Sequence, residues 1–372
     1  MPILIRKAIL PLHRWAGLTL GLLIAWLALT GAGMVFAPQL RSRVDHDLQV
    51  VPACTSALPL DTLIDRAQAA HVGGTLRLIG IRAQITASVL VRFANGDTVY
   101  LDPCTGRVLG QQNRNAGLFG RLEYLHRLKC VPIGGSIVGA AALAFAVVIV
   151  IGGVVMGWPG SRRALRKSLM FSPGLRGRAR LMNQHRTLGI WISLLLLASA
   201  LTGPIDSFGW YRRAIEVLTR SAVPEAVPTS RAVDRPRSSL QELWYRAQSV
   251  SPESIEALIH FPKQAGSAVQ IDLLERDSPH AEARTLLYLD SNSGAVLSFR
   301  RYASSSFGNK VMAWGLAIHK GEAGGFMQAL LLMGALGVPV LVYTGMSSYL
   351  RRHPAELAPP RRPRWGGCGS NQ

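Results

Sequence analysis

The sequence predicts a membrane α-helical protein: a four-helix transmembrane bundle from an internal duplication, with two small α+β modules on the outer side. Three observations carry that prediction. Four apolar stretches, about residues 16–36, 133–158, 188–205 and 326–349, are each long enough to cross a bilayer. A pattern then occurs twice: His13, Arg14, Gly17, Leu29, Thr30, Gly31 and Phe36 return with the same spacing as His185, Arg186, Gly189, Leu201, Thr202, Gly203 and Phe208, and the two segments agree at 10 of 24 positions. Finally, 49% of the residues are hydrophobic and only 17% charged, and the mean hydropathy is +0.22, values unusual for a soluble enzyme.

The formal net charge of +20 is decided by its placement. Arg162, Arg163, Arg166, Lys167, Arg176, Arg178 and Arg180 fill the loop between the second and third apolar runs with no acid among them, and Arg351, Arg352, Arg361, Arg362 and Arg364 follow the fourth. That is the positive-inside pattern, which puts the N-terminus, this loop and the C-terminal tail in the cytoplasm and the two long connections outside. No base-reading or stacking motif accompanies the charge, so nucleic acid is not an expected partner. Arg6 and Lys7 before the first run resemble a signal peptide, but the run exceeds the usual signal core of about 7–15 residues and Pro38 would follow the cleavage point. An uncleaved anchor is expected.

The resulting division of the chain is a first transmembrane helix with its lead-in (1–37), an outer module (38–117), a second helix (118–159), a basic loop (160–184), a third helix (185–208), a second outer module (209–311), a fourth helix (312–350) and a tail (351–372). The outer modules repeat as well. Tyr100, Leu101, Asp102, Gly106, Val108 and Leu109 correspond to Tyr288, Leu289, Asp290, Gly294, Val296 and Leu297. Each reads as strand, tight turn and strand, with the Asp capping the turn and the Gly free to take positive φ. Helical patterns lie upstream, at Leu60, Leu63, Arg66, Ala67 and Gln68 and at Leu240, Leu243, Arg246, Ala247 and Gln248, and alternating runs at 87–93 and 268–273 read as strands.

A helix followed by a hairpin with Tyr-Leu-Asp, three variable residues, Gly and an apolar pair resembles the PepSY module. Its placement between histidine-bearing membrane helices resembles the PepSY-associated transmembrane family, over nearly the whole chain. The resemblance implies an inner-membrane haem protein of bacterial iron uptake, with a ferric-siderophore substrate reduced in the periplasm.

The histidines carry the chemistry. His126 lies seven residues before Ile133 and His319 seven before Phe326, and 26 residues separate His126 from Gly152 and His319 from Gly345. His13 and His185 then fall at the cytoplasmic end, His126 and His319 at the outer end. Two imidazoles on facing helices suit both axial positions of a haem iron, leaving none for oxygen. Two such b-type haems at two depths form an electron path. Arg14, Arg186 and Arg127, each directly after a histidine, and Lys320 after the fourth, are candidates to pair with haem propionates; the first two equally satisfy the positive-inside rule. Thr30 and Thr202 satisfy a backbone carbonyl or contact a macrocycle, and the Thr-Gly pairs also suit close helix packing. Arg121, Arg127, Lys310 and Lys320 are candidates to attract an anionic chelate. His46, His71, His260, His280 and His353, without repeat partners, are expected at the surface.

Histidines at the extreme helix edges would stand about 30 Å apart in depth, a poor electron path. Apolar residues upstream, Ile9, Leu10, Leu12 and 311–318, lead us to expect earlier helix starts, and Pro132 a kink that tilts His126 inward. Cys54 and Cys104 share the first outer module and an oxidising compartment, where a disulfide is possible if their Cβ atoms meet. No CxxCH, dinucleotide fingerprint or flavin domain is present, so the electron donor is a quinol or a separate cytoplasmic reductase. A non-enzymatic reading competes: PepSY modules that bind or restrain an envelope protein or protease, with the helices only as anchors.

Overall fold

The computed structural model describes residues 3–53, 55–157, 161–221, 228–230, 238–262, 264 and 266–351. Four of its helical segments are long and apolar enough to cross a membrane: Lys7–Ala32, Gly134–Met156, Gly177–Asp206 and Gly325–Leu350. We call them spans 1 to 4. Spans 3 and 4 pack along their length, and span 4 also packs on span 1. A small internal core of Ile24, Leu27, Ala141, Val150, Ile192, Leu196 and Val338 holds the bundle. Leu22, Val147, Leu194 and Val340 turn outward, where only a lipid environment makes an apolar side chain favourable.

The helices carrying spans 1 and 3 begin earlier than the hydropathy pattern indicates, at Ile3 and Gly177. Charged residues do not break a helix, so the polar lead-ins continue it. His13 and His185 are therefore interior helical residues. His126 and His319 instead close separate helices, Gly117–His126 and Phe307–Lys320, that precede spans 2 and 4. Pro132 falls in the irregular link between Gly117–His126 and span 2 and kinks no helix.

Outside the spans, the two expected modules fuse into one antiparallel sheet. Its strands are β1 (Leu76–Arg82), β2 (Val89–Phe93), β3 (Asp97–Leu101), β4 (Val108–Asn113), β5 (Ser254–His260), β6 (Val269–Glu275), β7 (Thr285–Leu289) and β8 (Val296–Arg300). They lie in the order β4-β3-β2-β1-β5-β6-β7-β8. The seam is β1 against β5, with Ile79 opposite Ile259. One face buries Ile79, Val91, Phe93, Ile259, Ile271 and Leu287 under the helices Leu60–Ala70 and Leu240–Val250. Those helices present Leu60, Leu63 and Ala67, and Leu240, Leu243 and Ala247, the i, i+3, i+7 stripe read from the sequence.

The expected turns form. Asp102 Oδ1 accepts from the backbone N–H of Cys104 and Thr105, Asp290 Oδ1 from Asn292 and Ser293. Gly106 and Gly294 take φ of +67° and +66°. Cys104 is disulfide-bonded; Cys54, its expected partner, lies outside the described residues, as do His353 and the tail arginines from 352 onward.

The helices Leu60–Ala70 and Leu240–Val250 cap each other. Leu240 N–H and Gln241 N–H donate to Asp61 Oδ1 and Oδ2 at 2.9 and 3.0 Å, and Leu60 N–H donates to Gln241 Oε1 at 2.8 Å. Replacing Asp61 by Ala leaves two N-terminal amides of Leu240–Val250 without acceptors. Loss of such a cap costs about 1–2 kcal/mol, expected as a lower urea midpoint of the sheet and its two helices, read from Trp244 fluorescence.

Candidate cofactor site

The structure brings the four repeated histidines together in two pairs, as their levels predict. His13 and His185 have ring centroids 6.2 Å apart at an interplanar angle of 84°, and His126 and His319 stand 6.3 Å apart at 52°. The pairs occupy opposite ends of the bundle. His126 packs on Gly31 of span 1, eighteen residues after His13, and His319 on Gly203 of span 3, eighteen after His185. At 1.5 Å rise per residue the two levels lie about 27 Å apart along the helices. His13 lies six residues inside span 1 and His185 eight inside span 3, so the earlier helix starts do place both rings deeper than the span ends.

Each imidazole sits in a glycine notch. A Cβ at Gly31 would stand 3.3 Å from His126 Cε1, and one at Gly203, Gly345 or Gly153 would stand 3.1 Å from Cε1 of His319, His185 or His13. In three notches a threonine precedes the glycine. His126 Nδ1–H donates to Leu27 O at 2.9 Å with Thr30 Oγ1 at 3.1 Å; His185 Nδ1–H donates to Leu341 O at 2.9 Å with Thr344 Oγ1 at 3.3 Å; His319 Nδ1–H donates to Ser199 O at 3.1 Å with Thr202 Oγ1 at 3.3 Å. A carbonyl only accepts, so Nδ1 holds the proton and Nε2 keeps its lone pair. That is the tautomer of a histidine that ligates through Nε2. The Thr-Gly pairs thus serve as imidazole seats, and a third copy, Thr344–Gly345, escaped the sequence reading.

The fourth seat departs from the pattern. His13 faces Gly152–Gly153, with no threonine, and its buried Nδ1 lies near the Val148 and Ile149 carbonyls without reaching hydrogen-bond geometry. The equal spacings in sequence equate Gly152 with Gly345, yet Gly153 meets His13. Span 2 contains a π-helical turn, Phe145–Ile151, and such a turn takes up an extra residue.

A cavity of about 730 Å³ opens over the outer pair. Its lower walls are apolar, with Leu27, Ala28, Val138, Phe145, Leu196 and Val338 around His126 and His319; its upper wall is the sheet face opposite the packed helices, at Gly80, Leu90, Arg92 and Tyr100. Arg127 and Lys320 also line it, each already joined to an acid: Arg127 to Asp206 at 3.4 Å and Lys320 to Glu282 at 2.8 Å. Lys310 Nζ donates to Ala303 O, and Arg121 is exposed. Arg14 stacks 5.9 Å from the Tyr349 ring centroid, and Arg186 is exposed. His280, expected at the surface, is only 6% exposed, packed against Tyr302 and Trp314. Trp314 on the Phe307–Lys320 helix and Tyr302 just before that helix cover it.

Beside His319 in the cavity wall, burial and the neighbouring Glu282 carboxylate push the Glu322 carboxyl up to about 7. A carboxyl whose folded pKa exceeds its ordinary 4.5 binds its proton more tightly when folded. Thermal stability is therefore expected to fall as pH rises from about 4.5 through about 7 and to level off above. In Glu322→Gln that part of the Tm–pH profile should flatten.

Among the described residues no group of three or more His, Cys, Asp or Glu is placed to hold a metal ion. The site consists of facing imidazole pairs in a membrane bundle. No match to an individual curated protein is found. The family described as "PepSY-associated TM region" matches residues 10–352. With four spans, a sheet of repeated hairpin modules and that match over most of its length, the chain is a membrane protein of the PepSY-associated transmembrane family.

Proposed function

We propose that this protein is a di-haem electron carrier of the bacterial inner membrane, with both termini cytoplasmic and the sheet in the periplasm. It reduces ferric iron or a ferric siderophore there for uptake. An internal duplication, on this reading, produced the two equivalent histidine pairs.

The observation that carries the reading is the geometry of those pairs. Two imidazole–metal bonds of about 2 Å each, with roughly 1.1 Å from each nitrogen to its ring centre, would span about 6.2 Å between two ring centroids. The pairs stand at 6.2 and 6.3 Å. Two imidazoles alone are too few donors for a bare divalent cation, which takes four or more, but they would suffice to hold a haem, whose macrocycle brings the other donors. The apolar lower walls of the cavity, around His126 and His319, suit a macrocycle's flat faces. Haem, held by His126 with His319 and by His13 with His185, would supply one-electron chemistry. The chain's own residues do the rest: Leu27, Ser199 and Leu341 carbonyls fix the imidazole tautomers, the glycine notches fix their depth, and the apolar walls exclude water. The substrate's ferric ion accepts one electron and leaves as ferrous ion, which hard oxygen chelators hold weakly. The electron comes from a quinol or a cytoplasmic reductase. Arg14, Arg186 and Arg127 are assigned to haem propionates on this reading.

The test is the absorption spectrum of the detergent-purified protein, air-oxidised and dithionite-reduced, with a pyridine haemochrome assay. Two b-type haems per chain and sharp reduced α and Soret bands are expected. A protein still colourless after expression with added haem would sink the proposal and leave the sheet as a binding platform for an envelope protein.

A further inference from the structure

The upper wall of the outer cavity is basic in a way its frame does not require. Tyr100 on β3 pairs with Leu90 on β2, and Tyr288 on β7 pairs with Gln270 on β6. Two residues further along, Arg92 in the first half of the sheet therefore matches Asp272 in the second. Asp272 is neutralised by His260 at 2.9 Å. Arg92 has no such partner. Its Nε donates to Thr98 Oγ1 at 3.2 Å, and no described carboxylate lies within ion-pair distance of it, of Arg82 or of Arg41, all three of which line the cavity.

The acids in the same wall do not offset them. Glu123 is held by Lys129 and Arg114 at 3.0 and 3.2 Å, Asp206 by Arg127, and Glu256 by Arg284 at 2.6 Å. Glu322 keeps its proton up to about pH 7. Burial and the nearby Arg114 and Arg41 charges push the Arg92 guanidinium below its ordinary range. Gathering like charges in a partly desolvated recess is unfavourable until an anion enters. Guanidinium groups are the side chains best shaped to receive carboxylates.

We propose that Arg41, Arg82 and Arg92 form the binding site for a carboxylate-rich anionic metal chelate that enters between the sheet and the bundle, above the outer histidine pair. This deepens the reading above, since reduction of the chelate rests on haem at that pair while its binding does not. It also sets a specificity: anionic carboxylate chelates are preferred over cationic hydroxamate ones. The same carboxylate chemistry is carried by haem propionates, so the test separates the two sources.

Isothermal titration of the purified full-length protein with gallium(III) citrate, a redox-inert stand-in for the ferric complex, reads binding without electron transfer. Saturable binding is expected, weakened by added salt and about tenfold or more weaker in Arg92→Gln and Arg82→Gln. Arg246→Gln, an exposed position on the Leu240–Val250 helix at the other face of the sheet and outside the cavity, should bind as the parent does, and haem per chain should be unchanged in all three. A gallium complex of a cationic trihydroxamate should not compete. Absence of saturable binding, or equal affinity in both cavity variants, overturns the proposal. Haem loss in those variants with citrate binding intact also overturns it, assigning the arginines to propionates. Because gallium is not reduced, a colourless protein that still binds gallium citrate would leave this site standing while the haem reading falls.

Discussion

His126→Ala or His319→Ala is expected to lower the haem content from two per chain to one and to lose ferric reduction by about a hundredfold or more. On the proposed di-haem reading, each change removes one of the two imidazoles that would hold the haem at this pair and leaves the other without its facing ring. The inner pair, about 27 Å away along the helices, should keep its haem and its reduced bands. The complementary change, His13→Ala, should remove the inner haem while dithionite still reduces the outer one; reduction from a donor on the opposite membrane face should stop. Haemochrome content and the two-sided reduction assay in proteoliposomes check both statements. An anchor for a binding platform would tolerate alanine at all four positions, with no change in any spectrum it had.

Gly203→Val is expected to reproduce the loss of the outer haem without removing a ligand. Its Cβ would stand 3.1 Å from His319 Cε1 and 3.5 Å from Nε2, and the branched methyl groups extend further toward the ring. The imidazole must then leave its seat, and with it the hydrogen bond from Nδ1 to Ser199 O. Overpacking of this kind costs about 1–3 kcal/mol where the neighbours cannot yield, and a ligand displaced by an ångström no longer binds well. Gly17→Ala is the control, since nothing lies within 4 Å of its would-be Cβ. It should keep both haems. A Gly203→Val protein with a full haem complement and unshifted reduced bands would show that the notch does not position His319.

Much of this was legible in the sequence because the pattern repeats. Apolar runs gave the four spans, equal spacing grouped the histidines by level, and the Tyr-Leu-Asp turns marked both hairpins. What stayed hidden depended on contacts between distant parts of the chain. The antiparallel pairing of β1 with β5 joins strands whose sequences are equally compatible with two separate sheets. Gly153 rather than Gly152 meets His13 because a π turn shifts span 2, and no residue type announces that turn. Arg82 and Arg92 carry no repeat or motif that marks them in sequence; only the bundle beneath turns their sheet face into a cavity wall. His280 lacked a repeat partner, and its burial depends on Tyr302 and Trp314, which sequence cannot place beside it.

The seam between β1 and β5 also has a consequence for how the chain is made. Ile79 and Ile259 are 180 positions apart, and spans 2 and 3 lie between them. At a synthesis rate of roughly 5–20 residues per second, β1 waits about 10–40 seconds with one hydrogen-bonding edge bare. During that interval the first half-sheet is a template for any extended chain nearby. Biogenesis is thus the vulnerable period of this protein. Holdase chaperones at the membrane surface would protect it most during those seconds, before the second half-sheet arrives to close the edge.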